Sequence, residues 1–241
     1  MKTSRGHVGH RLMRLAHSFY FSILDFIYPP HCLICQTSLE PETRFVCKTC
    51  WSEFKVLPQP LLPVSQLDIL HDQAAHFVQS LAIYFYSDQI QYLIHTMKYK
   101  NMPGICVLFG NALGHLIREH HFLRDIDLIL PVPLHPIRYR ERGFNQAELL
   151  ARQIGGLNNV PVDGKVLKRL RYTDQQAKFS KQERARNVCG AFGIAHQSVV
   201  ENKHIAVVDD VLTTGSTMNE CAKILKQSGA KHITTITIVR I

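Results

Sequence analysis

The stretch Ile205-Ala206-Val207-Val208-Asp209-Asp210-Val211-Leu212-Thr213-Thr214-Gly215-Ser216-Thr217 decides the fold. The apolar run from Ile205 to Val208 is the signature of a strand buried on both faces, as in a parallel sheet. Two carboxylates follow at its C-terminal edge, where open α/β sheets place their ligands. Small and hydroxylated residues then lead into a helix expected over 217–228, and Thr217-Met218-Asn219-Glu220 has the spacing of a capping box. Free amide N–H groups at that helix start combine with the hydroxyls of Thr213, Thr214, Ser216 and Thr217. With Gly215 permitting close backbone approach, they make a phosphate cradle. Asp209 and Asp210 would repel that phosphate, so their expected partners are sugar hydroxyls or Mg2+. An apolar strand ending in Asp-Asp also describes the metal-binding strand of a nucleoside triphosphatase. No G-x-x-x-x-G-K-[ST] occurs in the chain, which leaves that class without its phosphate loop. A loop that only turns the chain is the other reading of the segment.

Outward from this stretch, apolar runs alternate with helical patterns, as in βαβ units. Strands are expected over 80–86, 127–132 and 233–239, and helices over 104–119 and 145–154, the latter stopped by Gly155-Gly156. The class is α/β with a parallel central sheet. Near the other end of the chain, Cys32-x2-Cys35, eleven residues and Cys47-x2-Cys50 have the arrangement of a tetrahedral zinc site. A redox pair needs only one C-x2-C, and four thiolates leave no open position for a metal-bound water, so the zinc is structural. Cys106, Cys189 and Cys221 stand alone and are expected to be packed. Pro58, Pro60 and Pro63 block helix and central strand alike, so 56–75 reads as a linker between a cysteine module over 1–55 and an α/β domain over 76–241.

Leu12, Leu15, Ala16, Phe19, Ile23, Phe26 and Ile27 follow helical spacing. A helix packed on its own domain accounts for them better than one lying on a membrane surface, because its basic face is sparse. No stretch is long and apolar enough for a transmembrane helix. His17 and Asp25 interrupt any secretory leader, so the expected location is the cytoplasm, with peripheral contact at the inner membrane face as a further option. The 241 residues are 46% hydrophobic and 20% charged with a net charge of +9, which excludes a disordered chain and favours polyanionic ligands. Between His135 and Arg186 stand twelve Lys or Arg against five acids.

The segment Val208 to Thr217 resembles the phosphoribosyl pyrophosphate (PRPP) signature of type I phosphoribosyltransferases. The likeness extends to the competence protein ComF branch of that fold. It is carried by Pro131-Val132-Pro133-Leu134-His135, by Arg142-Gly143-Phe144-Asn145-Gln146, by the Gln176, Ser180, Arg184, Asn187 series ending Gly190-Ala191-Phe192, and by the four cysteines, all in that family's order. The resemblance implies that Asp209 and Asp210 contact the ribose hydroxyls and that Val211, Leu212, Thr213, Thr214, Gly215, Ser216 and Thr217 hold the 5-phosphate. It further implies a pyrophosphate loop over 133–142, with His135, Arg138, Arg140 and Arg142, and an additional phosphate-binding lysine at Lys98 or Lys100. Mg2+ would bridge the ligand's oxygens. The alternation of Arg138, Arg140 and Arg142 also suits a merely solvated strand or loop.

Two functions follow as expectations. The branch implies a role in natural transformation, in which single-stranded DNA is handled at the cytoplasmic side, together with a PRPP site. Tyr139, Phe144, Tyr172 and Phe179 among the basic residues suit a groove that tracks phosphates and stacks bases. The alternative is an active transferase that moves phosphoribose from PRPP to a nitrogenous acceptor. Helicase or channel proteins of DNA uptake are the expected protein partners, with the cysteine module as one docking candidate.

Overall fold

The computed structural model describes residues 30–69, 74–173 and 181–241. The expected helix over 12–27, and Gln176, Lys178, Phe179 and Ser180, lie outside them. The chain divides into two compact units, Met1–Glu53 and Phe54–Ile241. In the first, two cysteine knuckles lead into the short helix α1 (Lys48–Ser52).

The second unit carries the sheet. Its strands are β1 (Leu61–Pro63), β2 (Gln79–Phe85), β3 (Leu128–Pro131), then, past a separate two-stranded ribbon, β6 (His204–Val208), β7 (Val211–Leu212) and β8 (His232–Arg240). The ribbon is β4 (Leu167–Arg169) paired antiparallel with β5 (Phe192–Ile194). The main order is β1-β2-β8-β6-β3, with β7 also on β8. All pairs are parallel except β1–β2. Helices α2 (Asp88–Tyr99), α3 (Gly104–His120), α4 (Pro136–Arg142), α5 (Gln146–Asn158), α6 (Lys181–Val188) and α7 (Ser216–Gln227) make the crossovers. Leu128, Leu130, Ile205, Val207 and Ile233 bury one sheet face beneath Met218, Cys221, Ala222 and Leu225 of α7. No helix among the described residues is long and apolar enough to cross a membrane.

Several local expectations are corrected. The proline-rich stretch contributes to the domain: Val56 bridges Tyr84, and Leu61 to Pro63 pair with β2, an edge position where missing N–H groups cost nothing. Helix α5 runs through Gly155-Gly156 and ends at Asn159 in the left-handed region. Gly155 is there for close approach, because a Cβ would lie 2.7 Å from the Val160 carbonyl oxygen and 2.4 Å from Val162 Cγ2. The capping box is not made. Gly215, at φ +74°, caps α7, and Glu220 instead accepts a hydrogen bond from the Gly190 amide at 2.8 Å. Arg138 to Arg142 form neither strand nor loop but helix α4, started by Pro136 and stopped by Gly143 at φ +79°. Cys106 and Cys221 are buried as expected, whereas Cys189 is exposed.

At the N-terminal edge of the sheet, His204 and His232 are register partners with rings 5.4 Å apart. The His204 Nε2 lies 3.2 Å from Thr234 Oγ1, and the Asp127 carboxylate accepts from the His204 amide. Burial, then the neighbouring His232, holds the His204 imidazole below its ordinary value, against the pull of Asp125 and Asp127. A depressed imidazole contributes stability that is present above the unfolded value of about 6.5 and lost as pH falls below it. The melting temperature should therefore decline on acidification from pH 7.5 to 5.5, and His204→Gln should flatten part of that decline. An identical decline in the variant would assign it to other groups.

Candidate functional site

The acidic pair stands where β6 ends. The Asp209 amide donates to the Ile236 carbonyl and the Asp210 carbonyl accepts from the Ile238 amide, so the ladder with β8 continues through both residues. Their side chains diverge. Asp210 is buried and takes Lys98 Nζ on both oxygens, at 2.9 and 2.8 Å, with Gln146 Nε2 at 3.4 Å. Asp209 is half-buried, and its Oδ1 accepts from the Asp210 amide at 2.9 Å. Burial, then the charge of Asp210, pushes the Asp209 carboxyl up to about 7, against the counter-pull of Lys98 and Arg169. Lys98 loses basicity to burial but gains more from Asp210 and Asp209, which keep it charged.

Val211 and Leu212 form β7, with Leu212 buried in the core, and they anchor the turn that follows. In that turn Thr214 Oγ1 and Ser216 Oγ share a hydrogen bond of 2.9 Å, and the Ser216 amide reaches Thr214 Oγ1 at 3.5 Å. Thr213 to Thr217 thus wrap the first turn of α7, a twelve-residue helix whose leading amides favour an anion.

The expected basic residues separate. Lys98 belongs to the acidic pair, whereas Lys100 leans on the Tyr92 ring, 5.1 Å from its centroid. His135 caps α4, its Nδ1 accepting from the Ile137 amide at 3.3 Å. Arg138 pairs with Glu141 at 3.0 Å and lies over Tyr172, and Arg142 lies over Tyr99. Arg140 is exposed. These contacts form a row. Tyr92–Lys100, His95–Tyr99 at 4.6 Å, Tyr99–Arg142 at 5.6 Å, Arg138–Tyr172 at 5.3 Å and Tyr172–His135 at 5.3 Å follow one another across α2, α4 and the segment after β4. The rings stay open to solvent, Tyr99 at 51%, Tyr92 at 39% and Tyr172 at 37%. Gln146, Tyr92, Tyr99 and Arg169 were not among the expected site residues. Gln146 ends the Arg142-to-Gln146 motif and Tyr99 sits between two lysines, signals that could have named them.

In the first unit, the Sγ atoms of Cys32, Cys35, Cys47 and Cys50 lie within 4.8 Å of one another, with Cys35 and Cys47 3.7 Å apart. A tetrahedral centre with Zn–S of about 2.3 Å spaces its sulfurs about 3.8 Å apart, so the set fits zinc. Amides of Ile34 and Cys47 point at Cys32 Sγ and that of Cys50 at Cys47 Sγ, each at 3.4 Å; burial raises the Cys32 thiol, but the backbone amides aimed at it hold it below its ordinary value. The hydrogen bond shared with the Thr37 hydroxyl brings the Cys35 thiol down to about 6.

Residues 112–240 match the phosphoribosyl transferase domain family, and residues 23–64 match the double zinc ribbon domain. The chain belongs to the phosphoribosyl transferase family, in its competence protein F branch. It is 29% identical to "Competence protein F" of Haemophilus influenzae over 213 residues, covering 84% of this chain and 93% of that one. It is 27% identical to "Competence protein ComFC" of Bacillus subtilis, covering 84% and 86%. It is also 33% identical to "DNA utilization protein YhgH" of Escherichia coli K12, covering 61% and 66%. Among solved structures, the purine phosphoribosyltransferase of Pyrococcus horikoshii is 17% identical with a TM-score of 0.33, covering 55% of this chain and 80% of that one. The ribbon match and the sulfur cluster together support a structural zinc.

Proposed function

We propose that this family member handles single-stranded DNA in the cytoplasm during natural transformation and that it binds Mg2+ and PRPP at Asp209 to Thr217. The observation that carries the reading is the junction at Lys98-Tyr99-Lys100. Lys98 holds Asp210, and the next two residues open the row of rings and cations. The end of α2 thereby joins the acidic pair at the end of β6 to a stacking surface. Alternating aromatic faces and positive charges suit a strand of bases and phosphates. The names of the relatives, competence and DNA utilization, agree with it.

Within the site, Asp210 is saturated by Lys98 and Gln146, which leaves Asp209 as the carboxylate able to meet a ribose hydroxyl or Mg2+. A hard cation accepts such oxygens, and most of its remaining ligands would be PRPP oxygens and water. Thr213 to Thr217 take the 5-phosphate, and Arg138 and Arg142 face the charge gathered on a departing pyrophosphate. The intact acidic pair and phosphate turn also favour the second reading, a working transferase. Helicase or channel proteins of uptake are its proposed partners, and the inner membrane face is its proposed working position.

Calorimetric titration of the zinc-loaded protein with Mg2+ and PRPP, and anisotropy with a single-stranded oligonucleotide, test both halves. Asp209→Asn should remove PRPP binding while the protein keeps its zinc and, with the Lys98–Asp210 pair intact, its melt. Tyr99→Ala should weaken DNA by about tenfold, and DNA affinity should fall steeply between about 50 and 200 mM salt. PRPP affinity retained in the folded variant, or DNA affinity indifferent to salt, would defeat the corresponding half.

A further inference from the structure

The four sulfurs of the zinc set are unequal. Cys32 is fully buried and Cys50 is 6% exposed, whereas Cys35 is exposed and Cys47 is half-buried. The Ile34 and Cys47 amides shield Cys32 Sγ further. The two accessible sulfurs are neighbours, 3.7 Å apart, although they belong to different knuckles and stand 12 positions apart in the chain. Both residues line an open cavity of about 540 Å3, whose other lining residues include Thr37, Thr43 and Thr49. A small polar molecule therefore has a path to this side of the centre.

Access and pairing together decide the chemistry. A cysteine held as a zinc ligand is a thiolate, the nucleophilic form, and susceptibility to oxidation follows thiolate character and exposure. A sulfur oxidised beside a second thiolate is resolved as a disulfide instead of climbing to irreversible acids. Cys35 is the most exposed of the four, and Cys47 supplies the second sulfur from the same cavity wall.

We infer that Cys35 is an oxidation site, at which a peroxide converts the zinc centre into a disulfide between Cys35 and Cys47. The Cys35 thiolate attacks one oxygen of hydrogen peroxide. An S–O bond forms, the O–O bond breaks, and the departing hydroxide takes a proton from solvent. The Cys47 thiolate then attacks the Cys35 sulfenic acid. An S–S bond forms, the S–O bond breaks, and the hydroxide released takes a second proton. Two sulfurs thereby lose two electrons, and one peroxide is reduced to two waters. A disulfide bond of about 2.0 Å requires the pair to close by about 1.7 Å. Cys32 and Cys50 alone supply half the ligands of a closed tetrahedral site, so the metal is released. The inference rests on the zinc centre and is independent of the phosphoribosyl reading.

The test exposes zinc-loaded, full-length protein to hydrogen peroxide beside a chromogenic zinc chelator and maps cysteine pairing by non-reducing peptide mass spectrometry. One zinc should be released for each Cys35–Cys47 disulfide formed, and the same map reads the exposed Cys189 separately. A thiol reductant with added zinc should restore the centre. Cys35→His keeps a ligand of the three-cysteine, one-histidine type and removes the exposed sulfur, so release should slow by at least about tenfold. If Cys35→His does not load zinc, Cys47→His is read instead. With the resolving sulfur absent, dimedone should then label Cys35 as its sulfenic acid. A disulfide within either C-x2-C pair, zinc retained through the peroxide treatment, or release from Cys35→His as fast as from the unaltered protein overturns the oxidation site alone. Absence of zinc from the unaltered protein overturns the structural zinc and the oxidation site with it.

Discussion

Replacing Lys98 by Met lowers the unfolding free energy of the second unit by about 3 kcal/mol, at the lower end of the roughly 3–5 kcal/mol typical of breaking a buried ion pair. The reason is what remains. Asp210 is 6% exposed in its side chain and would keep only the 3.4 Å contact from Gln146, a long hydrogen bond for an unpaired charge. The Lys98 side chain is 24% exposed, and this partial access to water places the effect at the lower end. Lys98→Met combined with Asp210→Asn should recover most of the loss, because a neutral amide next to a thioether leaves no buried charge. Urea unfolding of the four proteins gives the coupling directly. A single-variant cost under about 1 kcal/mol would mean that the pair is solvated and that Asp210 is free for ligand.

Removal of zinc has the larger consequence for the first unit. Structural zinc sites couple about 10–16 kcal/mol of metal affinity to folding, and residues 30–53 hold little else, since Cys32, Leu39, Val46 and Cys50 are their buried apolar side chains. Chelation, or Cys32→Ser, should abolish one bound zinc per chain and open this segment to protease, while the unit from Phe54 onward keeps its melting transition. Metal analysis with limited proteolysis reads both results. Protection of 30–53 in the metal-free protein would show that the knuckles fold through contacts other than zinc.

What the sequence made legible follows from how local each signal is. The strand-turn-helix at 205–217 was readable because a doubly buried strand is an apolar run and its ligand-facing end is polar. The cysteine pairs were readable because zinc geometry constrains spacing within a short segment. Lys98 was visible as a basic residue, but its partner lies 112 positions away and no local pattern carries that contact. Arg169 was hidden in a basic run, where Lys168 is exposed, Arg171 is a brace and only the fold tells them apart. Misread elements share a cause, in that one residue type serves two purposes. Gly155 looks like a stop yet permits packing, Glu220 looks like a cap yet holds Gly190, and proline looks like a linker yet suits an edge strand.

Strand β8 bridges β2 and β6, so the sheet's two halves meet only through residues 232–240. On the ribosome both halves emerge before the piece that unites them, and parallel pairing across such sequence distances is slow to close. Until then β2 and β6 each present an unpaired edge in the nascent chain. Such a polypeptide would spend its synthesis as a chaperone client, and its yield would depend on how quickly its final strand is delivered.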